Sequence, residues 1–400
     1  VSDAIRLVEY QAWYGPLAPE DARFIREQLQ PRFRAYQLPG EDGWHVEAAQ
    51  HVGVAPLPSG RRLECRPKVP LGSVFFMLET AFRLGQEWPF REEVAEFAEL
   101  EDVLELLARH FAELLEQRLR LGLYRAYLEA EDNLPVVRGR IAFAEDARRN
   151  YALRHRTWCR WSELAWDVPE NQVLRQTARL LAGWGFGAAT ALRLSRLEAA
   201  LEEVALGRLT AADVGRFRYH RLNEGYEPLH QLCRLFLEGT SVSEEAGPQP
   251  FRAFLVDMNH LFELFVTELL IERAPPGVTV DYQVPVQLDS ERQIDMRPDV
   301  VLRAGPAAAV ADCKYKRTTP GDYEHHDYYQ VLSYCTALGV SRGLLLYPRG
   351  ELPADDAAHV RGSDVVIHRL CIDLSVPWRD MPSACDDFCR RVFTTVSGSG

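Results

Sequence analysis

The order of elements after residue 250 constrains this chain more than any other feature. Between Phe251 and Ile271, Met258, Leu261, Phe262, Phe265 and Leu269 recur at helical steps. Three short strand-like runs follow, Val278 to Val286, Asp295 to Leu302 and Ala307 to Lys316. The turn Arg303-Ala304-Gly305-Pro306 makes the last two an antiparallel hairpin. A helix over Asp327 to Leu338 and strands at Gly343 to Tyr347 and Asp364 to Ile372 complete an α-β-β-β-α-β order with one further strand. Such an order predicts an α+β domain.

That domain also holds two of the only three lysines in 400 residues, in Asp312-Cys313-Lys314-Tyr315-Lys316. Elsewhere, Lys68 apart, every cation is Arg. Arg is a planar, permanently charged fork, whereas Lys is a compact ammonium that can approach a reacting oxygen. Side chains alternate along a strand, so Val310, Asp312 and Lys314 share one face and Cys313 the other. Cys313 is therefore expected in the core, and Lys316 near the strand end, where it would attract phosphate. Asp299, in Arg297-Pro298-Asp299, lies on the neighbouring strand, where pairing brings its carboxylate beside Asp312. Two carboxylates this close repel and need a cation, and oxygen ligands with open water positions suit Mg²⁺ or Mn²⁺. Glu263 projects from an apolar helix surface, where a carboxylate needs a partner, and is expected to complete the metal shell. Gln330 and Tyr334 stand four apart on one helix face, placed to contact a phosphate backbone or to support the Lys314 strand.

The rest of the chain reads less sharply. Residues 1–130 begin β-rich, with strands at Ala4 to Tyr10, Gly43 to Val54 and Arg61 to Arg66 and a helix at Ala18 to Gln30, and turn helical from Val74. Residues 131–245 are expected to be mainly helical. They open on a short strand from Val136 to Phe143, and Asp167 is a candidate cap for the helix Pro169 to Trp184. This region carries an Arg-rich stretch from Arg138 to Arg160, including Arg154, with two readings: a solvated face, or a backbone-contacting surface on which Trp158 and Trp161 stack bases. The polar run Gly239 to Pro250 marks a boundary, giving a third domain at 246–395 and a disordered tail at 396–400.

A net charge of −12 argues against a free-standing non-specific DNA binder, because phosphate neutralisation supplies most such affinity. No apolar run approaches the roughly 18 residues that span a bilayer, so no membrane is expected. The eight cysteines form no Cys-x-x-Cys pair and read as reduced thiols of a cytoplasmic protein; Cys385 and Cys389 mark a buried helix face.

The C-terminal arrangement resembles the PD-(D/E)xK nuclease core, in the variant with a downstream Gln-x-x-x-Tyr. Further stretches are similar to the McrC family: Leu7-Val8-Glu9-Tyr10, Val52-Gly53-Val54, Leu57-Pro58-Ser59-Gly60, Arg66-Pro67-Lys68-Val69, Gly139-Arg140-Ile141, Asp167-Val168-Pro169-Glu170-Asn171 and Met258 to Phe265. The resemblance implies the nuclease subunit of a 5-methylcytosine-dependent, type IV restriction system. It implies Asp299, Asp312 and Lys314 as the catalytic set, with Glu263 as an accessory ligand. It also implies modified double-stranded DNA as substrate and a McrB-like AAA+ GTPase ring as partner, engaged by the N-terminal half. The chain has no Gly-Lys dipeptide and hence no phosphate-binding loop of its own, in keeping with a separate NTPase. Lys68 fits either a buried structural pair or a partner contact. A non-catalytic activator of an NTPase ring and a stand-alone repair nuclease are the competing classes.

Overall fold

The computed structural model describes residues 4–84, 100–152, 155–240, 253–316, 325–349 and 355–398. The chain folds into two compact units: Val1–Leu104 together with Gly239–Gly400, and Glu105–Glu238. The division expected at 130 and 245 is therefore drawn differently. A strand at Phe254–Asp257, within the expected Phe251 to Ile271 helix, pairs antiparallel with His51–Pro56. It completes a four-stranded sheet in the order Ala4–Val8, Arg62–Arg66, His51–Pro56, Phe254–Asp257. Buried Ile5, Leu7, Ile25, Phe33, Val46 and Leu63 share one core with Ala253 and Leu255. Burial of that apolar set ties the N-terminal sheet to the C-terminal region. Gly53 makes the close approach: its φ is +153°, and a Cβ there would overlap the carbonyl oxygen of Phe254.

The helix itself is Met258–Glu272, and it starts where Asp257 accepts from the Asn259 and His260 amides. A six-stranded mixed sheet follows, ordered Val278–Tyr282, Val300–Ala304, Ala307–Cys313, Arg342–Pro348, Val366–Ile372, Asp355–His359. The expected hairpin is there, with Ala304 opposite Ala307 and Gly305 at φ +59° in the turn. Ala307–Cys313 and Arg342–Pro348 run parallel, the crossover between them containing the helix His325–Leu338. The helix packs on the Val310 face through Val331, Tyr334 and Cys335. The edge strand Asp355–His359 carried no sequence signal, whereas the last helix, Met381–Ser397, is the one that Cys385 and Cys389 marked. That helix buries Cys385, Cys389 and Val396, so the expected tail is ordered at least to Gly398, its left-handed cap.

In the second unit, Ala126–Leu134 pairs antiparallel with Thr157–Ala165, which also pairs with Arg140–Ile141, a three-stranded sheet within the region expected to be mainly helical. Helices Pro169–Ala182, Ala188–Ala199 and Glu227–Thr240 account for much of the remainder. Asp167 does not cap its helix; it accepts from Gln172 Nε2 and the Ala205 amide. Asn171 is wholly buried, donating to the Tyr124 and Trp166 carbonyls and accepting from Tyr226 OH, so the Asp-Val-Pro-Glu-Asn segment is an internal brace. Arg154 and most of the expected linker, residues 241–250, lie outside the described residues.

Gly53→Val should destabilise the whole Val1–Leu104 and Gly239–Gly400 unit by about 3 kcal/mol, the upper range for overpacking and a strained backbone. Denaturant unfolding followed by tryptophan fluorescence measures it.

A candidate carboxylate–lysine active site

Three residues from two adjacent strand ends meet at one end of the six-stranded sheet. Pro298 has no amide proton to offer a ladder, and the expected Asp295 to Leu302 strand breaks there into Asp295–Met296 and Val300–Ala304. Asp299 sits in the break, just before the strand rather than within it. Its carbonyl accepts from the Gln283 amide, and its Oδ2 accepts from the Cys313 amide at 2.7 Å. The Asp299 carboxylate is thus hooked onto the residue between Asp312 and Lys314.

Asp312 is 1% exposed. Lys314 Nζ pairs with its Oδ2 at 2.6 Å, and no other donor among the described residues reaches either Asp312 oxygen. The strand ladder ends at Cys313, but the Lys314 amide still donates to the Leu346 carbonyl, keeping the expected alternation. Cys313 is buried, as expected of the opposite face, and burial pushes its thiol well up.

Charge in this space is frustrated. Burial, then Asp312 and Glu263, push the Asp299 carboxyl up to about 7. Burial raises Asp312 as well, against the pull of Lys314. Burial also works against the Lys314 ammonium, but Asp312 outweighs it and raises its pKa, so the lysine stays charged. Excess buried negative charge is what a bound cation would relieve.

Glu263 reaches the same field from the Met258–Glu272 helix. It has the partner its apolar surroundings require: its Oε1 accepts from Gln283 Nε2 at 2.8 Å. His260 stands 4.0 Å from its Oε2. Burial opposes its ionisation, but His260 and Gln283 prevail and hold its carboxyl below the ordinary value. Among the described residues no three His, Cys, Asp or Glu side chains gather into a ready-made ion cage. The donor chemistry, two close carboxylates with an orphaned oxygen, fits an ion that keeps several of its waters, as Mg²⁺ does.

Gln330 and Tyr334 are joined: Gln330 Nε2 donates to Tyr334 OH at 2.7 Å, and Tyr334 OH donates to the Arg297 carbonyl at 3.3 Å. Through that bond they brace the Pro298-Asp299 break, while Tyr334 also packs against Val310 of the Lys314 strand. Lys316 is not free to attract phosphate. Its Nζ is 3.0 Å from Asp327, whose buried carboxylate also accepts from Tyr347 OH. Nor are the tryptophans of the Arg-rich stretch bare: Arg149 lies over Trp158 at 4.4 Å and Arg138 over Trp161 at 4.7 Å.

Sequence reasoning missed Gln283 and Asp327 altogether; Asp327 had a signal, a carboxylate opening an otherwise apolar helix turn. It also left Lys68 open. The structure gives the structural answer: its Nζ lies 3.8 Å from the centre of the Tyr315 ring.

The chain is thus a mixed α/β protein that brings two buried carboxylates and a lysine together at one end of a sheet. Residues 46–348 match the family described as McrBC 5-methylcytosine restriction system component, and the chain belongs to that family. It is 21% identical over 350 residues, 78% of this chain and 95% of the relative, to the Type IV methyl-directed restriction enzyme EcoKMcrBC of Escherichia coli (strain K12). A chain in the assembly of Thermococcus gammatolerans McrB AAA+ hexamers with bound McrC superposes with a TM-score of 0.58 at 18% identity, covering 98% of this chain and 99% of that one, and so shares the fold. A cryo-EM structure of the McrBC complex of the same organism gives 0.44 at 20% identity, covering 67% of this chain and 87% of that one. No helix among the described residues is long and apolar enough to cross a membrane.

The raised Asp299 carboxyl fixes the sign of a pH effect. The folded chain holds this proton more tightly than the unfolded one, so stability falls as pH rises from about 4 to about 7. With EDTA present the melting temperature should drop between about pH 4 and pH 7, and Asp299→Asn should flatten the drop. Differential scanning calorimetry across that range checks it.

Proposed function

We propose that this chain is the DNA-cleaving subunit of a modification-dependent restriction complex, hydrolysing phosphodiesters at Asp299, Asp312 and Lys314. The observation that carries the reading is the 2.6 Å pairing of Lys314 with a buried Asp312 that no other donor among the described residues reaches. The α-β-β-β-α-β run from Met258 through Pro348, with these residues at adjacent strand ends, supports a PD-(D/E)xK core.

Asp299 and Asp312 would hold Mg²⁺ or Mn²⁺, with Glu263 at the margin. When bound, the ion would polarise a phosphoryl oxygen and make water a better nucleophile. The protein residues have their own tasks. Lys314, held charged by Asp312, is a donor and not a base; it orients the attacking water and offsets charge growing on the phosphoryl oxygens. Asp312 in turn fixes the ammonium. Tyr334 and Gln330 hold the Asp299 turn, keeping the carboxylates within the narrow geometry such chemistry demands.

The acidic chain needs help to stay on DNA. A solved relative, McrC, is bound to McrB AAA+ hexamers, which supports a ring of that kind as the partner; we take it to be a GTPase that this chain would stimulate. We assign the engagement to residues 105–238, where Tyr127, Val136, Phe143 and Tyr151 leave large apolar surfaces exposed. GTP would be used by the partner, and the DNA would be double-stranded and cytosine-methylated.

Asp312→Ala should abolish nicking of methylated plasmid, and Lys314→Arg should lower it roughly a hundredfold or more, as loss of a transition-state donor does. Both should leave stimulation of the partner's GTPase intact. A variant that loses both activities while still folding and assembling would contradict the division of labour.

A further inference from the structure

The Lys314 strand does not end in its own sheet. Beyond Cys313 the ladder stops, and the next residue but one, Tyr315, is held by the N-terminal sheet instead. Tyr315 is 1% exposed, and its OH donates to Glu9 Oε1 at 2.8 Å across 306 residues of sequence. Glu9, itself fully buried, accepts the Lys68 amide on the same oxygen at 2.6 Å. The Tyr315 carbonyl accepts from Tyr10 OH at 2.9 Å, and Lys68 Nζ lies over the Tyr315 ring. The ring's surroundings also include Phe262, next to Glu263, with centroids 5.8 Å apart. Tyr10 OH also lies 3.5 Å from Asn259 Oδ1, at the start of the Glu263 helix.

This is an expensive way to fill a core. A buried carboxylate and ammonium cost desolvation that apolar side chains of similar volume would avoid. Tyr10 further adopts φ +61°, which a non-glycine residue takes only when its surroundings impose it. What these groups supply and apolar packing would not is direction, because hydrogen bonds to both the hydroxyl and the carbonyl of Tyr315 fix its position and rotation. Tyr315 is bonded to Lys314, so its position sets where the Lys314 backbone lies relative to Asp312.

We propose that Glu9, Tyr10 and Lys68 are positioning residues that clamp Tyr315 and so fix Lys314 beside Asp312. The nuclease centre is then competent only in a chain whose N-terminal sheet is in place. The inference rests on the cleavage reading above, and its test separates the two.

Full-length Tyr10→Phe, Glu9→Gln, Glu9→Leu and Asp312→Ala chains, each assembled with the AAA+ GTPase partner, would be compared on cytosine-methylated plasmid. Single-turnover rate, KM for DNA, melting temperature and amide hydrogen exchange at residues 313–316 would be read. Tyr10→Phe should lower the single-turnover rate roughly tenfold, the scale set by small misplacements of a reacting group. KM, melting temperature and the partner's GTPase should hold, while the Lys314 and Tyr315 amides exchange faster. Glu9→Leu should show the same loss or greater. Glu9→Gln, which keeps the Oε1 acceptor for both Tyr315 and Lys68, should recover most of the rate. Wild-type rate and wild-type exchange in Tyr10→Phe would overturn the clamp, as would equal losses in Glu9→Gln and Glu9→Leu. Should Glu9→Leu not fold, Tyr10→Phe decides. If Asp312→Ala cleaved normally, the active-site reading would fall, and the exchange data would still judge the clamp.

Discussion

A carboxylate buried at the end of a sheet with one ammonium for its partner is the constraint on which the C-terminal region depends. Asp312 forgoes hydration and receives only the Lys314 ammonium in exchange. Leaving such a group in a low-dielectric interior costs several kcal/mol unless its charge is matched. Asp299 adds to the cost by bringing a second carboxylate into the same space. The surrounding structure holds this unfavourable arrangement in place. Pro298 interrupts the neighbouring strand, Tyr334 ties the interruption down through the Arg297 carbonyl, and the Cys313 amide hooks Asp299. Unmatched negative charge kept at such a cost is what a cation bound there would relieve.

The same constraint explains why the unit holding the site is discontinuous in sequence. Residues 1–104 fold with residues 239–400 because Phe254–Asp257 adds a strand to the N-terminal sheet, and the Asp257 side chain then starts the helix that carries Glu263. From the other direction, Glu9 and Tyr10 reach Tyr315 next to Lys314. The region after the linker is therefore not self-sufficient. Residues 105–238 form a unit of their own, and their exposed apolar sheet carries no part of the carboxylate–lysine site.

Much of the C-terminal domain was legible because its signals are local. The hairpin follows from a Gly-Pro turn, the shared face of Asp312 and Lys314 from strand alternation, and the buried Cys385 and Cys389 from helical spacing. Misreadings arose where partners are distant. Phe254–Asp257 looks helical in sequence because it is apolar and continuous with a helix; only pairing with residues 51–54 makes it a strand. Ala126–Leu134 reads as the end of a long helix until Thr157–Ala165 is paired with it. Lys316 reads as free because Asp327, its counter-ion, lies 11 residues further along the chain, and the bond from Tyr334 to Arg297 crosses 37 residues. Periodicity reports which face is apolar; it does not report which remote group satisfies a polar atom.

On the proposed reading Asp299 and Asp312 form a cation site beside the Lys314 ammonium. Equilibrium binding of Mn²⁺ to the isolated full-length chain, followed by electron paramagnetic resonance, tests it without requiring turnover. The account predicts saturable binding that weakens as pH falls below about 7, where Asp299 takes up its proton, and that disappears in the Asp299→Ala, Asp312→Ala double variant. Undiminished Mn²⁺ binding in that double variant would contradict it.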